Sequence, residues 1–419
     1  MNKIKINKKI RLIELFAGYG SQAMALRNIG AEFEKYKVVE FEKNVLNSYN
    51  AIHGTNFPVI DIKNITGKDL EIVEKDKFTY LLTYSFPCTD LSLSGKVAGM
   101  ERGSGTRSAL LWEVERLLKE TEELPDVLVM ENVPQVISKR NKAAFDEWCR
   151  FLETKGYKNY VDILNARDFG VPQNRRRCFM VSILGDYEYC FPSGIPLTVS
   201  AKEYLEENVE EKYFMGDDKV KVLIENLLQK NFDEETLNSL LDMSGGACVA
   251  AIRGRYMSDG SGKTEQRLEP NTEGLCNTLT TVQKDNMILI RQATQKGYIE
   301  CEVGGVADLS YPTSTTRRGR VTDQGNVCPT IMTSNHELCA IYSVYRIRRL
   351  TPRECGRFMA VTDEDIEIMY RINSETQLYK QYGNSIVVKC LEAVFRNLNI
   401  QGVETWEELL KEGAENGED

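Results

Sequence analysis

The chain has 419 residues, 42% hydrophobic and 27% charged, with a formal net charge of −9. That length exceeds one small domain, and the balance excludes a disordered or fibrous chain. No apolar run is long enough to span a bilayer, and residues 10–16 are too short and mixed for a secretory core.

Residues 10–16 form an apolar run that predicts a strand buried on both faces. A glycine turn follows, then a helix over 22–29, a strand over 36–40 and a helix over 44–52. Further strands are predicted over 78–85, 127–131 and 178–184, with helices over 110–121 and 143–155 between them. Such alternation predicts a parallel sheet wrapped by helices, an α/β fold. From about residue 186 the pattern changes. Residues 202–242 read as helical and acidic, and 246–342 as short strands and loops rich in Gly, Thr, Ser and Asn. Within the latter, Arg253-Gly254-Arg255 and Arg318-Gly319-Arg320 each precede a similar apolar and threonine-rich stretch, a weak internal echo. Thr351-Pro352-Arg353-Glu354 reads as a helix start, 383–398 as a turn and helix, and the tail beyond Gly413 as frayed. The expected division is therefore 1–185, 186–342 and 343–419, the last returning to the first.

The negative charge argues mildly against nucleic acid. The acidic residues concentrate in 203–235 and 404–419, however, while arginines gather at 175–177, 317–320 and 346–357. A local basic cleft stays open. Eleven cysteines occur without a CxxC spacing, beside only two histidines, so reduced thiols and no metal are expected.

Phe16-Ala17-Gly18-Tyr19-Gly20 sits where the first strand turns into the first helix, where glycines let the backbone approach a ligand. Glu40 ends the second strand about 20 residues on, placed to accept from ribose hydroxyls. Asp61 ends a third apolar run and suits an adenine amino group. Together these describe a nucleoside pocket without saying which nucleoside. A strand also runs straight into Pro87-Cys88, putting a thiol at the carboxyl edge of the sheet. Another delivers Glu131 to the same edge, as a general acid or a hydrogen-bonding clamp. Alternation puts Arg175 and Arg177 on one side of an extended segment.

In this order the chain resembles the cytosine carbon-5 DNA methyltransferases. The resemblance rests on Phe16 to Gly20, Pro87-Cys88, Glu131-Asn132-Val133, Gln173/Arg175/Arg177, the stretch from Arg348 to Glu354, and Gln381-Tyr382-Gly383-Asn384-Ser385. It leaves out about 186–340. Thr89 stands where the family has Gln, Asp90-Leu91-Ser92 follows in place of an aromatic before Ser, and Ser21 stands where Gly is common. The strand starting Phe78-Thr79-Tyr80 lacks an early Asp.

The resemblance implies a Rossmann-like S-adenosylmethionine-dependent methyltransferase domain with a smaller, mostly β and loop, target-recognition domain. It assigns Cys88 as nucleophile, with Glu131, Arg175 and Arg177 as its catalytic partners. It assigns Phe16, Gly18, Gly20, Glu40, Asp61, Ile62, Pro87, Asn384 and Ser385 to S-adenosyl-L-methionine, the product being S-adenosyl-L-homocysteine. The glycine-rich stretch 92–107, with Ser92, Gly95 and Lys96, is expected to close over DNA carrying a flipped base. Arg253, Arg255, Arg318 and Arg320 are expected to contact DNA. The implied partner is double-stranded DNA, with a cognate restriction endonuclease open. The expectation is a cytoplasmic monomer, of a bacterium or phage-infected host, without membrane. Competing readings are a tRNA cytosine-5 methyltransferase, a non-catalytic DNA-binding relative and a dehydrogenase-like nucleotide binder.

Overall fold

The computed structural model describes residues 2–88, 91, 99–230, 239, 247–256, 263–271, 273, 275–279, 287–291, 306–308, 338–340 and 345–415. Two compact units emerge. One comprises Met1–Ser200, Thr278–Val282 and Pro352–Asp419; the other comprises Ala201–Asn277 and Gln283–Thr351. These divisions fall at 200/201 and 351/352, later than the composition change suggested. A short stretch from the middle of the chain also joins the first unit.

The first unit is built on β1 (Lys9–Leu15), α1 (Ser21–Asn28), β2 (Phe33–Val39), α2 (Lys43–His53), β3 (Phe78–Tyr84), α3 (Leu111–Glu120), β4 (Val127–Asn132), α4 (Lys142–Thr154), β5 (Tyr157–Asn165) and β6 (Arg176–Leu184). The six strands run in the order β2-β1-β3-β4-β6-β5. β2, β1, β3 and β4 pair in parallel, while β6 is antiparallel to both neighbours. Ile13, Leu15, Leu82, Tyr84, Leu128 and Met130 pack with Val114 and Leu118 of α3 and Trp148 of α4 in one core. The alternate residues Leu12, Leu81 and Val129 are also buried, which explains the near-continuous apolar runs. The order reverses at β1, between β2 and β3. That is the switch point at which open α/β sheets leave a crevice beyond their strand ends.

In the second unit, α5 (Asp217–Lys230) covers an antiparallel sheet of order β8-β7-β9-β10, made of β7 (Ala247–Tyr256), β8 (Thr264–Pro270), β9 (Met287–Arg291) and β10 (Tyr345–Arg349). Val220, Leu223, Ile224 and Leu227 recur at helical spacing and meet Cys248, Ala250, Ile252, Leu268 and Ile347. Ahead of α5, residues 201–204 and 211–213 are single 3-10 turns, and residues 231–238 and 240–242 of the expected helical stretch lie outside the described residues.

The chain returns to the first unit through α6 (Pro352–Phe358), α7 (Asp363–Ile372), α8 (Glu375–Asn384), α9 (Val388–Arg396) and α10 (Trp406–Glu415). α9 packs on α1, and α7 on α2. The turn and helix expected over 383–398 appear as the break after Asn384 and α9; Gly383 and Asn384 close α8, with Ser385 as its C-cap. The stretch just beyond Gly413, expected to fray, is helical as far as Glu415; at the start of this helix Trp406 Nε1 donates to Ser193 O. Among the described residues no helix is long and apolar enough to cross a membrane, and no His, Cys, Asp and Glu side chains group as a metal site.

Candidate active site

The turn after β1 is held open by its own backbone. Phe16, Gly18 and Gly20 have φ of 58, 60 and 88 degrees. The value is costly for an aromatic residue, a kind of strain that concentrates at functional sites. Gly20 cannot be replaced cheaply: a Cβ there would lie 2.2 Å from His53 Nε2 and 2.7 Å from Tyr49 Cε2. The turn lies along the end of β2, with Phe16 N donating to Val39 O and Gly18 N donating to Glu40 Oε2 at 3.1 Å. The other Glu40 oxygen accepts from Glu42 N at 2.9 Å. Glu40 is thus a buried clamp on the turn, its pKa raised by burial against these two bonds. Ser21, the departure from glycine noted in the sequence, places its Oγ 2.7 Å from Ser385 Oγ.

A cavity of about 370 Å3 opens beyond these strand ends. One part is walled by Phe16, Gly18, Glu40, Asp61, Ile62 and Ser385, the other by Cys88, Glu131, Arg175 and Arg177. Pro87 and Asn384 line it too, so every residue expected to meet the cofactor except Gly20 lines the cavity, and Gly20 lies in the turn beside it. Asp61 does not end a strand; it caps a 3-10 turn, accepting from Lys63 N. Three contributors escaped the sequence reading. The Phe41 ring, 54% exposed, stands at the rim beside Glu40. Lys380 reaches Glu42 at 2.7 Å, and both line the cavity. An aromatic directly after a strand-end acid was the signal available for the first; the pair, 338 residues apart, had none.

At the chemical end, β4 delivers Glu131, which is 7% exposed, and Arg177 Nε lies 3.1 Å from its Oε1. Burial raises the Glu131 pKa; Arg177, Arg175 and the Ser85 hydroxyl work against it. Burial likewise pushes the Cys88 thiol up, opposed first by Arg177, while Glu131 adds to the rise. Asn132 Nδ2 donates to Phe86 O at 2.9 Å, tying the loop before the thiol to β4.

The two arginines share a side, as alternation predicts, but they do different things. Arg175 is wholly buried and its terminal nitrogens donate to Leu279 O, Gly383 O and Ser385 O. Burial and then the like charge of Arg177 push its pKa down to about 9, still protonated at neutral pH. Its terminal nitrogens hold backbone carbonyls while its buried Nε has no partner, and Arg177 is the arginine that faces Glu131.

Ser92, Gly95, Lys96, Arg318 and Arg320 lie outside the described residues, as does the second half of the internal echo. Arg253 and Arg255 lie on β7, on the face away from α5. Arg255 binds Glu269 through two nitrogens at 2.5 and 2.7 Å, and Arg253 lies 3.9 Å from the same carboxylate. Arg253 stands directly opposite Arg267 in the register.

A family profile described as C-5 cytosine-specific DNA methylase matches residues 10–399. The type II methyltransferase M2.ScrFI of Lactococcus lactis subsp. cremoris is 31% identical over 93% of this chain and 99% of its own. The orphan methyltransferase M.SssI of Spiroplasma monobiae is 34% identical over 54% of this chain and 70% of its own. In fold, the chain is similar to the crystal structure of the S. pombe Dnmt2 methyltransferase, with a TM-score of 0.55 and 18% identity over 94% of this chain and 98% of that one. The fold is therefore the Rossmann-like methyltransferase fold, the activity is DNA cytosine-5 methylation, and the chain belongs to the C-5 cytosine-specific DNA methylases.

Proposed function

We propose that the chain methylates cytosine by covalent catalysis, with Cys88 as the nucleophile, Glu131 and Arg177 as its partners, and S-adenosyl-L-methionine in the other half of the same cavity. The observation that carries this is the convergence of a thiol, a buried carboxyl and a guanidinium on a cavity whose far wall is the strained turn and Glu40. Cytosine carbon 5 is a poor nucleophile. Addition of the Cys88 thiolate to carbon 6 moves the carbon 5–carbon 6 electron pair onto carbon 5. Glu131, whose carboxyl pKa is raised by burial, is the acid that donates to ring nitrogen 3 as charge develops there. Arg177 holds the carbonyl oxygen and steadies the thiolate. When bound, S-adenosylmethionine supplies a methyl group made electrophilic by its sulfonium. Water then removes the carbon 5 proton, the double bond re-forms and Cys88 leaves.

The cofactor fit rests on Gly18, which lines the cavity with open space where a Cβ would stand, and on Glu40 for the ribose, Asp61 for the adenine amino group and the open Phe41 face for the ring. The target base must swing out of the duplex to reach Cys88, at a few kcal/mol of lost stacking and pairing. The second unit reads the DNA. On its outer sheet face Arg253 and Arg267 stand opposite each other, beside the carboxylates of Glu269 and Glu265, in an arginine cluster suited to phosphates. The exposed Arg255–Glu269 pair exchanges readily for phosphate. The deciding experiment is bisulfite sequencing of DNA from a host expressing the wild type or Cys88→Ala. Methylated sites with the wild type alone are expected; equal methylation with both would end this account.

A further inference from the structure

The segment between the nucleophile loop and α3 is firmly mounted. Trp112 Nε1 donates to Met100 O at 2.8 Å. Arg102 lies 3.8 Å over the Trp112 ring, donates to Glu147 at 2.7 Å and pairs with the buried Glu115. From the end of this mount the Ser108 side chain, fully buried, donates to Pro87 O at 2.7 Å. No motif of the family resemblance includes Ser108.

We propose that Ser108 is a positioning residue for the nucleophile, its hydroxyl fixing the planar peptide that joins Pro87 to Cys88. A peptide unit is rigid, so holding its carbonyl oxygen also sets the direction of its N–H. Here that N–H belongs to Cys88, so fixing the peptide also fixes the backbone from which the sulfur projects. With Asn132 holding the preceding carbonyl, two side chains from separate elements brace consecutive peptides of the loop. Without Ser108 the Pro87 carbonyl loses a buried donor, the peptide turns, and the sulfur moves away from Arg177, the charge that favours its thiolate. Ser108 touches neither base nor cofactor in this scheme, which rests on Cys88 being the nucleophile.

The test compares wild type, Ser108→Ala and, as a control, Ser104→Ala, an exposed serine of the same segment. Single-turnover methylation, KM for cofactor and DNA, melting temperature, and iodoacetamide alkylation of the Cys88 peptide against pH are measured. Loss of one hydrogen bond lowers kcat by about tenfold. Both KM values and the melting temperature should stay close to wild type, the alkylation midpoint should move to higher pH, and the control should change nothing. Ser108→Cys, similar in size but a weak donor, carries the same expectation should alanine prevent folding. Wild-type kcat and midpoint in either variant would overturn the proposal, as would a fall in kcat matched by lost folded protein with an unmoved midpoint. Alkylation needs no DNA or cofactor, so a failure of the covalent mechanism, read from Cys88→Ala, is a separate result.

Discussion

Arg177 Nε and Glu131 Oε1 lie 3.1 Å apart because two antiparallel strands set them there. Glu131 faces Phe179 and Asn132 faces Cys178 across β4 and β6, so Arg177 falls one step past the end of the ladder, beside the carboxyl. Replacing Glu131 with Gln keeps the shape but removes the proton donor and the negative charge beside the half-buried Arg177. The expected result is a fall of about a hundredfold in kcat with cofactor affinity retained. Steady-state methyl transfer beside calorimetric titration of S-adenosylhomocysteine measures both; a kcat within a few-fold of wild type would contradict the assigned role.

The same geometry sets a pH dependence. Burial raises the Cys88 thiol pKa, and Arg177 is the largest force holding it down. The reactive thiolate therefore grows as pH rises, and the methylation rate should climb through the alkaline range. Arg177→Gln removes the stabilising charge, so this limb should move to still higher pH. Single-turnover rates on a fluorocytosine duplex, read as covalent adduct, follow the limb. A limb that stays put in the variant would remove Arg177 from the thiol's control.

Much of this site was legible because its residues stand at the ends of apolar strands. β1, β3 and β4 are continuous buried runs, and each delivers its glycine turn, thiol or carboxyl directly. β5 escaped because it is an edge strand: Tyr157 to Asn165 alternates between half-buried and exposed positions without a clear apolar face. α7 begins with three acidic residues, which reads as a solvated stretch until Thr362 is seen capping it through Asp365 N. The roles of Ser21, Arg175 and Lys380 could not be read at all. Each depends on a partner more than 100 residues away, brought close only when the C-terminal helices fold back.

Gly20 carries a prediction of its own. At φ +88 degrees an L side chain is strained, and the added Cβ would drive into the His53 and Tyr49 rings. Gly20→Ala should cost about 2 kcal/mol or more of stability and weaken cofactor binding by displacing the turn. Thermal melts with and without S-adenosylhomocysteine separate the two effects. An alanine variant with wild-type melting and a full ligand-induced shift would mean that the turn relaxes freely.

Behind that turn lies Glu14, fully buried in β1 and accepting the hydroxyl hydrogen of Tyr49. Burial raises its pKa from the usual 4.5 to about 8, with Tyr49 opposing. Because the folded state holds this proton more tightly than the unfolded chain, Glu14 contributes stability that is complete below pH 4.5. That contribution is lost progressively as pH rises through about 8. Glu14→Gln has no proton to lose. The variant should therefore melt close to wild type at pH 5, and its advantage should grow steadily toward pH 9. Every other titrating group cancels in the difference between the two curves, so parallel melting curves across that range would mean that Glu14 stays ionised in the folded protein.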